Sequence, residues 1–500
     1  MMHPAPMIGR LWIAGEWQDI GSGEWLSRSP SDPETIIGRF PIATPEQIDR
    51  AIATARDAFP SWRRQSRILR AECFDRLARL IERDTDSLAQ LMAMEIGKPL
   101  SECRAEVIEG LHMVQYVFGT GREPIGQIVA SEIPEKDAFV RRVPKGVVAV
   151  ITPWNFPFAV PLWMLGPSLL EGNTVLFKPS ESSPAVGQRL VELFLEAGFP
   201  GEVLQLLHGA DAVGERLVQS PVVQVVLFTG SAAVGRTIMQ QSAGMSDRIV
   251  AAEMGGKNAV IIAADAQLEM AVNAAILSAF KTAGQRCVSA SRLIVAESLL
   301  ARFTERFVAT ADRLRIGNPL NPQTFYGPLI HAAARDNVLR YNALAESEGA
   351  EILRRGGPIQ PSDAPHGYFL SPQIYRLDSP KARCLQEEVF GPHVGIVSFR
   401  ELPEAIDLAN GTDYGLSLAV ITESYRTMRL IREECRFGMG YVNLPCIGAE
   451  VHLPFGGVKR SGNGHPSAAG LVDTVTHRIA WTVNHGESIR MAQGLTAEVP

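Results

Sequence analysis

The sequence predicts an α/β protein whose sheets are mainly parallel and covered by helices on both faces. From Gly146 onward, short apolar runs alternate with helical patterns, the order expected of βαβ units in a doubly wound sheet. The runs are continuous: Val147–Ile151 contains no polar residue, as in a strand buried on both faces. At 500 residues the chain exceeds one ordinary core, so two or three domains are expected.

Residues 10–26 alternate in polarity and carry Trp12, Trp17 and Trp25, which predicts an N-terminal hairpin. Pro45 to about Ile96 is helical in pattern. Thr44-Pro45-Glu46-Gln47 gives its start a cap, an N1 proline and an early acid. Glu102–Phe118 continues the helical region, and residues 123–144 look extended and leave the first domain. Strands are expected at Val147–Ile151, Thr174–Lys178, Val203–Leu207 and Val222–Thr229, with helices at Pro184–Ala197 and Ala212–Gln219. In the second half Asn258–Ile262 and Arg292–Val295 read as strands, and Leu268–Thr282 and Leu299–Leu314 as helices. Val475–Val483 alternates again, and a polar tail closes the chain.

Composition narrows the function. A chain that is 46% hydrophobic and 20% charged is globular, and a net charge of −6 offers nothing to nucleic acid or an acidic membrane. Gly146–Leu170 carries no charge, yet Pro153, Pro157, Pro161 and Pro167 would leave backbone groups unpaired in lipid, so no membrane span is expected. No apolar run follows a basic start, so no secretory leader is expected. The six cysteines (Cys73, Cys103, Cys287, Cys384, Cys435, Cys446) show neither a C-x-x-C pair nor zinc-ligand spacing. No metal is expected, and reduced thiols fit a cytoplasmic location.

The segments that carry chemistry combine a thiol, a carboxylate and an amide. Cys287 ends Gly284-Gln285-Arg286-Cys287, and Glu253 opens Glu253-Met254-Gly255-Gly256-Lys257. A lone cysteine is ordinarily a small buried apolar residue, and a glutamate before glycines ordinarily caps a helix or faces water. Together they supply a nucleophile and a base. Asn155 lies in the apolar run Pro153-Trp154-Asn155-Phe156-Pro157, where an amide needs a partner. Phe228-Thr229-Gly230-Ser231-Ala232-Ala233-Val234-Gly235 passes from strand to helix with glycines that let phosphate approach backbone N–H groups, or serve only a tight turn. Lys178-Pro179-Ser180-Glu181 ends another strand, and Glu387-Glu388-Val389-Phe390-Gly391-Pro392 adds a further carboxylate pair.

In order and spacing these segments resemble the aldehyde dehydrogenase superfamily from about Gly15 to His477. The resemblance implies a Rossmann-type cofactor domain (1–122 and 146–255), an α/β catalytic domain (256–475) and a β oligomerisation arm (123–145 and 476–500). It implies NAD(P)-dependent, hydrolytic, non-phosphorylating oxidation of an aldehyde, with a semialdehyde among the candidates. Cys287 would form a thiohemiacetal and then a thioester, Glu253 would activate water, and Asn155 would stabilise the oxyanion. Ile151, Thr152, Pro153 and Trp154 would line the cofactor site. Lys178, Ser180 and Glu181 would hold its adenosine ribose, Gly230, Ser231 and Gly235 its phosphates, and Glu388 and Phe390 the nicotinamide end. A carboxylate at Glu181 favours NAD, with NADP the alternative. Phe156, Trp163 and Phe455 would line the aldehyde tunnel. Arg286 would either meet an anionic substrate tail or form a structural ion pair. The implied partners are a small aldehyde and further copies of the chain, as a homodimer or homotetramer.

The chain departs from the family pattern at two positions. Many hydrolytic members carry a lysine and a glutamate where Met164 and Pro466 stand, so proton relay from Glu253 is expected to use backbone carbonyls and water. Substrate hints conflict: Gly448-Ala449-Glu450 resembles members acting on amino-acid-derived semialdehydes, whereas the Lys178–Glu181 segment resembles more general semialdehyde and ketoglutaric semialdehyde enzymes. Two rival readings are a CoA-acylating semialdehyde dehydrogenase and a catalytically silent binding paralogue. Members of the CoA-acylating branch generally lack the Glu253 equivalent, and a silent paralogue would not need to retain Cys287, Glu253 and Asn155.

Overall fold

The computed structural model describes residues 6–492. Its first sheet has eight strands, in the order Gly462–Asn463, Ile249–Met254, Val223–Gly230, Val147–Ile151, Thr174–Lys178, Leu204–Leu206, Leu11–Ile13 and Glu16–Gln18. The five from Ile249–Met254 to Leu204–Leu206 are parallel, and the flanking pairings are antiparallel. Successive side chains enter different cores. Val148 and Val150 join the cluster of helices Arg67–Ile96, Leu100–Thr120 and Ala159–Leu170, while Val147, Ala149 and Ile151 join that of Pro45–Arg64 and Asp211–Gln219. Burial on both faces is why the run reads as continuously apolar.

The second sheet has seven strands: Glu351–Arg354, Gln373–Arg376, His393–Phe399, Ala290–Ala296, Asn258–Ile262, Ser417–Ile421 and Met439–Val442. All pair in parallel except the edge strand Glu351–Arg354. Gly255-Gly256-Lys257 links the two sheets, and Gly462–Asn463 later returns to the first sheet against Ala252 and Glu253. A third sheet pairs Gly126–Val129 with Lys136–Pro144 and the latter with Thr476–Asn484, antiparallel, from Thr476↔Pro144 to Asn484↔Lys136. Residues 1–5 and 493–500, the ends of the expected cofactor domain and arm, lie outside the described residues.

Register gathers the functional segments at one edge. Glu253 pairs with Thr229, Phe228 with Ile151, and Ile151 with Lys178, all at the C-terminal ends of parallel strands. Ligands bind there in open α/β sheets. At Thr44 the expected helix start is a full capping box: Gln47 N–H donates to Thr44 Oγ1 at 3.2 Å, and Gln47 Oε1 accepts from Thr44 N–H at 2.9 Å.

Two expectations need correction. The hairpin spans only Leu11–Gln18, and Trp25 belongs to Glu24–Ser29, which pairs with Asp32–Pro41 in a separate sheet. Gly21-Ser22-Gly23 interrupts the alternation, with Ser22 N–H bonded to Ile42 O at 2.8 Å, so the chain changes sheets there. The helix expected over Leu268–Thr282 ends at Phe280, because Thr282 and Ala283 turn left-handed. Gly146–Leu170 forms a strand, a turn and the wholly buried helix Ala159–Leu170. Among the described residues no helix is long and apolar enough to cross a membrane.

Candidate active site

The turn before Cys287 is built against backbone preference. Thr282, Ala283 and Gly284 have φ of +53°, +55° and +71°, and the two non-glycines cost on the order of 1–3 kcal/mol each. Buried side chains hold them there. Thr282 Oγ1 donates to Glu102 at 2.7 Å, and Gln285 Nε2 donates to the carbonyls of Thr282 and Pro328, each at 3.2 Å. Gln285 Oε1 accepts from Ile330 N–H at 3.0 Å. At Gly284 only hydrogen fits, since a Cβ would lie 2.3 Å from Gly391 O. Beyond the nucleophile, Asn258 Nδ2 donates to the carbonyls of Cys287 and Ser289, at 2.6 and 3.0 Å. The thiol is thereby fixed from both sides.

Asn155 and Glu253 converge on the same cavity of about 280 Å³ as Cys287. Asn155 is buried, and its Nδ2 donates to Gln285 O at 3.0 Å, which leaves its second N–H free in direction. Glu253 is not a cap or a surface acid: it ends a central strand, is buried, and its Oε1 has no protein partner. Burial pushes Glu253 well above the usual carboxylate range; the bond with the Cys287 thiol pulls it back, and nearby Glu388 pushes it further up. Burial likewise pushes the Cys287 thiol well up, and the charges of Glu253 and Glu388 add to this. Burial thus holds both groups toward their neutral forms, and charge on either one raises the cost of charge on the other.

The cofactor segments flank the start of helix Ala232–Ser242, which Ser231 caps by accepting from Val234 N–H at 3.3 Å. On one side lies the Cys287 cavity, lined by Pro153, Trp154, Thr229, Gly230, Glu388 and Phe390. On the other, Ile151, Lys178, Gly214, Val218, Val234 and Ile238 line a mostly apolar cleft of about 330 Å³. The hydroxyls of Thr152 and Thr229 are buried without a partner among the described residues. Two clefts on either side of a helix N-terminus, with orphaned hydroxyls, fit a dinucleotide. Lys178 Nζ sits 3.4 Å from Glu181 Oε2, and burial lowers its pKa despite that charge. The Ser180 hydroxyl accepts from Ser182 N–H at 3.2 Å, and Gly235 packs against Met254, whose Sδ would lie 2.5 Å from a Cβ. Glu388 accepts from Gly256 N–H at 2.9 Å, and burial pushes it up to about 7. The glycine at 255 is explained by this carboxylate, which a Cβ would meet at 2.0 Å. Phe390 holds φ of +59° and meets Trp154 edge to face.

Phe156, Trp163 and Phe455 line the cavity, and Trp163 packs on Phe455 with ring centroids 4.8 Å apart. Arg286 also reaches the wall, but it is an ion-pair residue: its guanidinium bonds Glu102, and Nε donates to Thr282 Oγ1 at 2.9 Å. It is therefore not free for an anionic tail. Met164 is fully buried and Pro466 is buried, so both positions of the usual relay pair are apolar.

The helix expected over Glu102–Phe118 is present as Leu100–Thr120, but sequence reasoning missed the part its glutamates play at the site. Glu106 accepts from Lys98 Nζ at 2.7 Å and from the N–H groups of Phe158 and Ala159 at 2.9 and 3.1 Å. Glu102 holds the nucleophile turn, and Glu109 lines the cavity. The available signal was their spacing: Glu102, Glu106 and Glu109 share a face beside Cys103, Val107 and Gly110, the apolar and therefore inward side.

Known proteins match this architecture over nearly its whole length. Residues 17–478 match the model of the aldehyde dehydrogenase family. Alpha-ketoglutaric semialdehyde dehydrogenase of Bacillus subtilis (strain 168) is 34% identical, over 90% of this chain and 92% of its own. Malonate-semialdehyde dehydrogenase 2 of Geobacillus thermodenitrificans (strain NG80-2) is also 34% identical, over 95% and 98%. A crystal structure of betaine aldehyde dehydrogenase from Staphylococcus aureus in complex with NAD+ superposes with a TM-score of 0.92 at 30% identity, covering 98% of this chain and 97% of that one. By fold, by site geometry and by these matches, the chain belongs to the aldehyde dehydrogenase family.

Proposed function

We propose that this aldehyde dehydrogenase oxidises a small aldehyde or semialdehyde to its carboxylic acid with Cys287 as nucleophile and NAD as preferred acceptor. The carrying observation is the convergence of Cys287, Glu253 and Asn155 on one largely apolar cavity. Glu253 takes the Cys287 proton, and the thiolate adds to the aldehyde carbon. The free N–H of Asn155 and the Cys287 backbone N–H stabilise the oxyanion. NAD, held with its nicotinamide end beside Trp154, Glu388 and Phe390, would supply the hydride acceptor. The thioester left on Cys287 is attacked by water that Glu253 deprotonates. With Met164 and Pro466 in place of a relay pair, the proton leaves through backbone carbonyls and water.

Lys178 and Glu181 hold the adenosine ribose in this reading, Ser180, Gly230, Ser231 and Gly235 shape the backbone around it, and Glu388 holds the nicotinamide ribose. The first sheet with its helices serves as the cofactor domain, residues 256–475 as the catalytic domain, and the three-stranded sheet as an arm. The arm exposes Ile128, Ile479 and Trp481, which supports pairing with a second copy. All six cysteines are free, which supports a reducing cytoplasmic setting.

The test is NADH formation across aliphatic, aromatic, ω-carboxy and amino-acid-derived aldehydes, with NAD or NADP, with and without CoA. CoA-independent reduction of NAD, absent in Cys287→Ala, is the expected result. A strict requirement for CoA would place the enzyme in the acylating branch instead.

A further inference from the structure

Helix Leu100–Thr120 turns three glutamates toward the active site, and only two are neutralised. Glu102 bonds Arg286 and Thr282, with Lys281 Nζ at 3.8 Å. Glu106 pairs with Lys98 at 2.7 Å and caps helix Ala159–Leu170. Glu109 lines the substrate cavity, and its Oε1 is out of solvent with no hydrogen-bond partner among the described residues. Glu109 is half-buried as a residue, but a carboxylate oxygen out of solvent without a partner is costly, and is kept where something else supplies the partner.

Among the described residues the two nearby cations are not free to do so. Lys98 is committed to Glu106 and lies 3.6 Å from the Phe156 ring centroid, and Arg286 is committed to Glu102. The apolar part of the same cavity wall is Phe156, Val160, Trp163 and Phe455, whose aromatic faces solvate a cation; against this, an anion would find the uncharged Trp163 Nε1–H, which has no partner among the described residues. An ω-carboxylate would meet a like charge with its counter-ions already taken.

Building on the aldehyde-oxidation reading, we propose that Glu109 is the specificity-determining carboxylate of the cavity, binding a positively charged nitrogen at the end of the substrate remote from its carbonyl. A protonated amine and a quaternary ammonium share this chemistry. Burial and the neighbouring Glu106 push Glu109 up to about 7, with Lys98 and Arg286 opposing, and Tyr441 lies on the facing strand. Cation binding should therefore strengthen as pH rises through neutrality.

The test compares three aldehydes of equal length ending in trimethylammonium, its uncharged tert-butyl isostere, or carboxylate. The full-length enzyme should prefer the cation in kcat/KM over both others by about tenfold or more, the range of one buried charged contact. Glu109→Gln should raise KM for the cation about 10- to 100-fold more than for the isostere, with kcat changed far less. A second readout needs no turnover: calorimetric binding of the trimethylammonium alcohol, present in the wild type and lost in Glu109→Gln. The two measurements separate failures. Alcohol binding that needs Glu109 while no aldehyde is oxidised supports the cation site and overturns the aldehyde-oxidation reading. A wild-type preference for the carboxylate, equal losses on all three aldehydes, or alcohol binding untouched by Glu109→Gln overturns the proposal.

Discussion

Asn155 Nδ2 donates to the carbonyl of Gln285 at 3.0 Å, two residues before the nucleophile. One amide thereby does two things: it braces the left-handed turn and is aimed by it. Asn155→Ala should lower kcat by about 10²- to 10³-fold, the cost of losing one oxyanion donor. Steady-state kinetics check this. A comparable fall in the rate of Cys287 alkylation would shift the effect from oxyanion stabilisation to the turn itself.

Burial raises the Cys287 pKa and the Glu253 charge adds to it, and in the proposed reaction Glu253 later activates water. Glu253→Gln removes the charge, so the thiol of the free enzyme should be alkylated at lower pH than in the wild type. At a pH that ionises the thiol without the base, the same variant should release one NADH per site and then turn over at least about 100-fold more slowly, the range of a lost general base. Stopped-flow absorbance resolves the two phases. An unchanged steady state would remove Glu253 from deacylation.

A methyl at position 255 would lie 2.0 Å from Glu388 Oε2. Gly255→Ala should therefore displace Glu388 and weaken NAD binding by roughly ten- to a hundredfold, the range of one charged hydrogen bond. Fluorescence titration with NAD measures this. An unaltered Kd would mean that Glu388 does not hold the cofactor.

Glu102 secures the nucleophile turn through a buried ion pair. Burial alone would raise its pKa, but Arg286, Lys281, Lys98 and the Thr282 bond outweigh it, and the net shift is downward from 4.5. Glu102→Ala should destabilise the protein by about 3 kcal/mol or more, since Arg286 is left buried and unpaired. A depressed carboxylate pKa contributes stability above its unfolded value, and that contribution is lost as pH falls through the folded value. The gap between wild type and variant should thus narrow below about pH 4.5. Urea unfolding at neutral and acid pH follows both trends.

The central strands were legible in the sequence because burial on both faces leaves an unbroken apolar signature; Thr174–Lys178 and Asn258–Ile262 have the expected bounds. The motifs at strand ends were legible because their residue types are unusual in apolar surroundings. Three features were not. Trp25 alternates like the preceding hairpin, and alternation does not say which sheet a strand joins. Thr282 and Ala283 have no local reason to turn left-handed; Glu102, 180 positions away, supplies it. Arg286 read equally as a substrate contact or an ion pair until the fold brought Glu102 to it.

The most direct test traps the intermediate. Glu253→Gln enzyme, mixed with NAD and an aldehyde it turns over, should accumulate a thioester visible by intact-protein mass spectrometry. The mass gain should equal the aldehyde less two hydrogens, and peptide mapping should place it on the segment containing Cys287. A gain equal to the whole aldehyde would mean that hydride transfer had not occurred. No adduct despite NADH release, or an acyl group on another of the six cysteines, would contradict the central claim that Cys287 carries the substrate through oxidation.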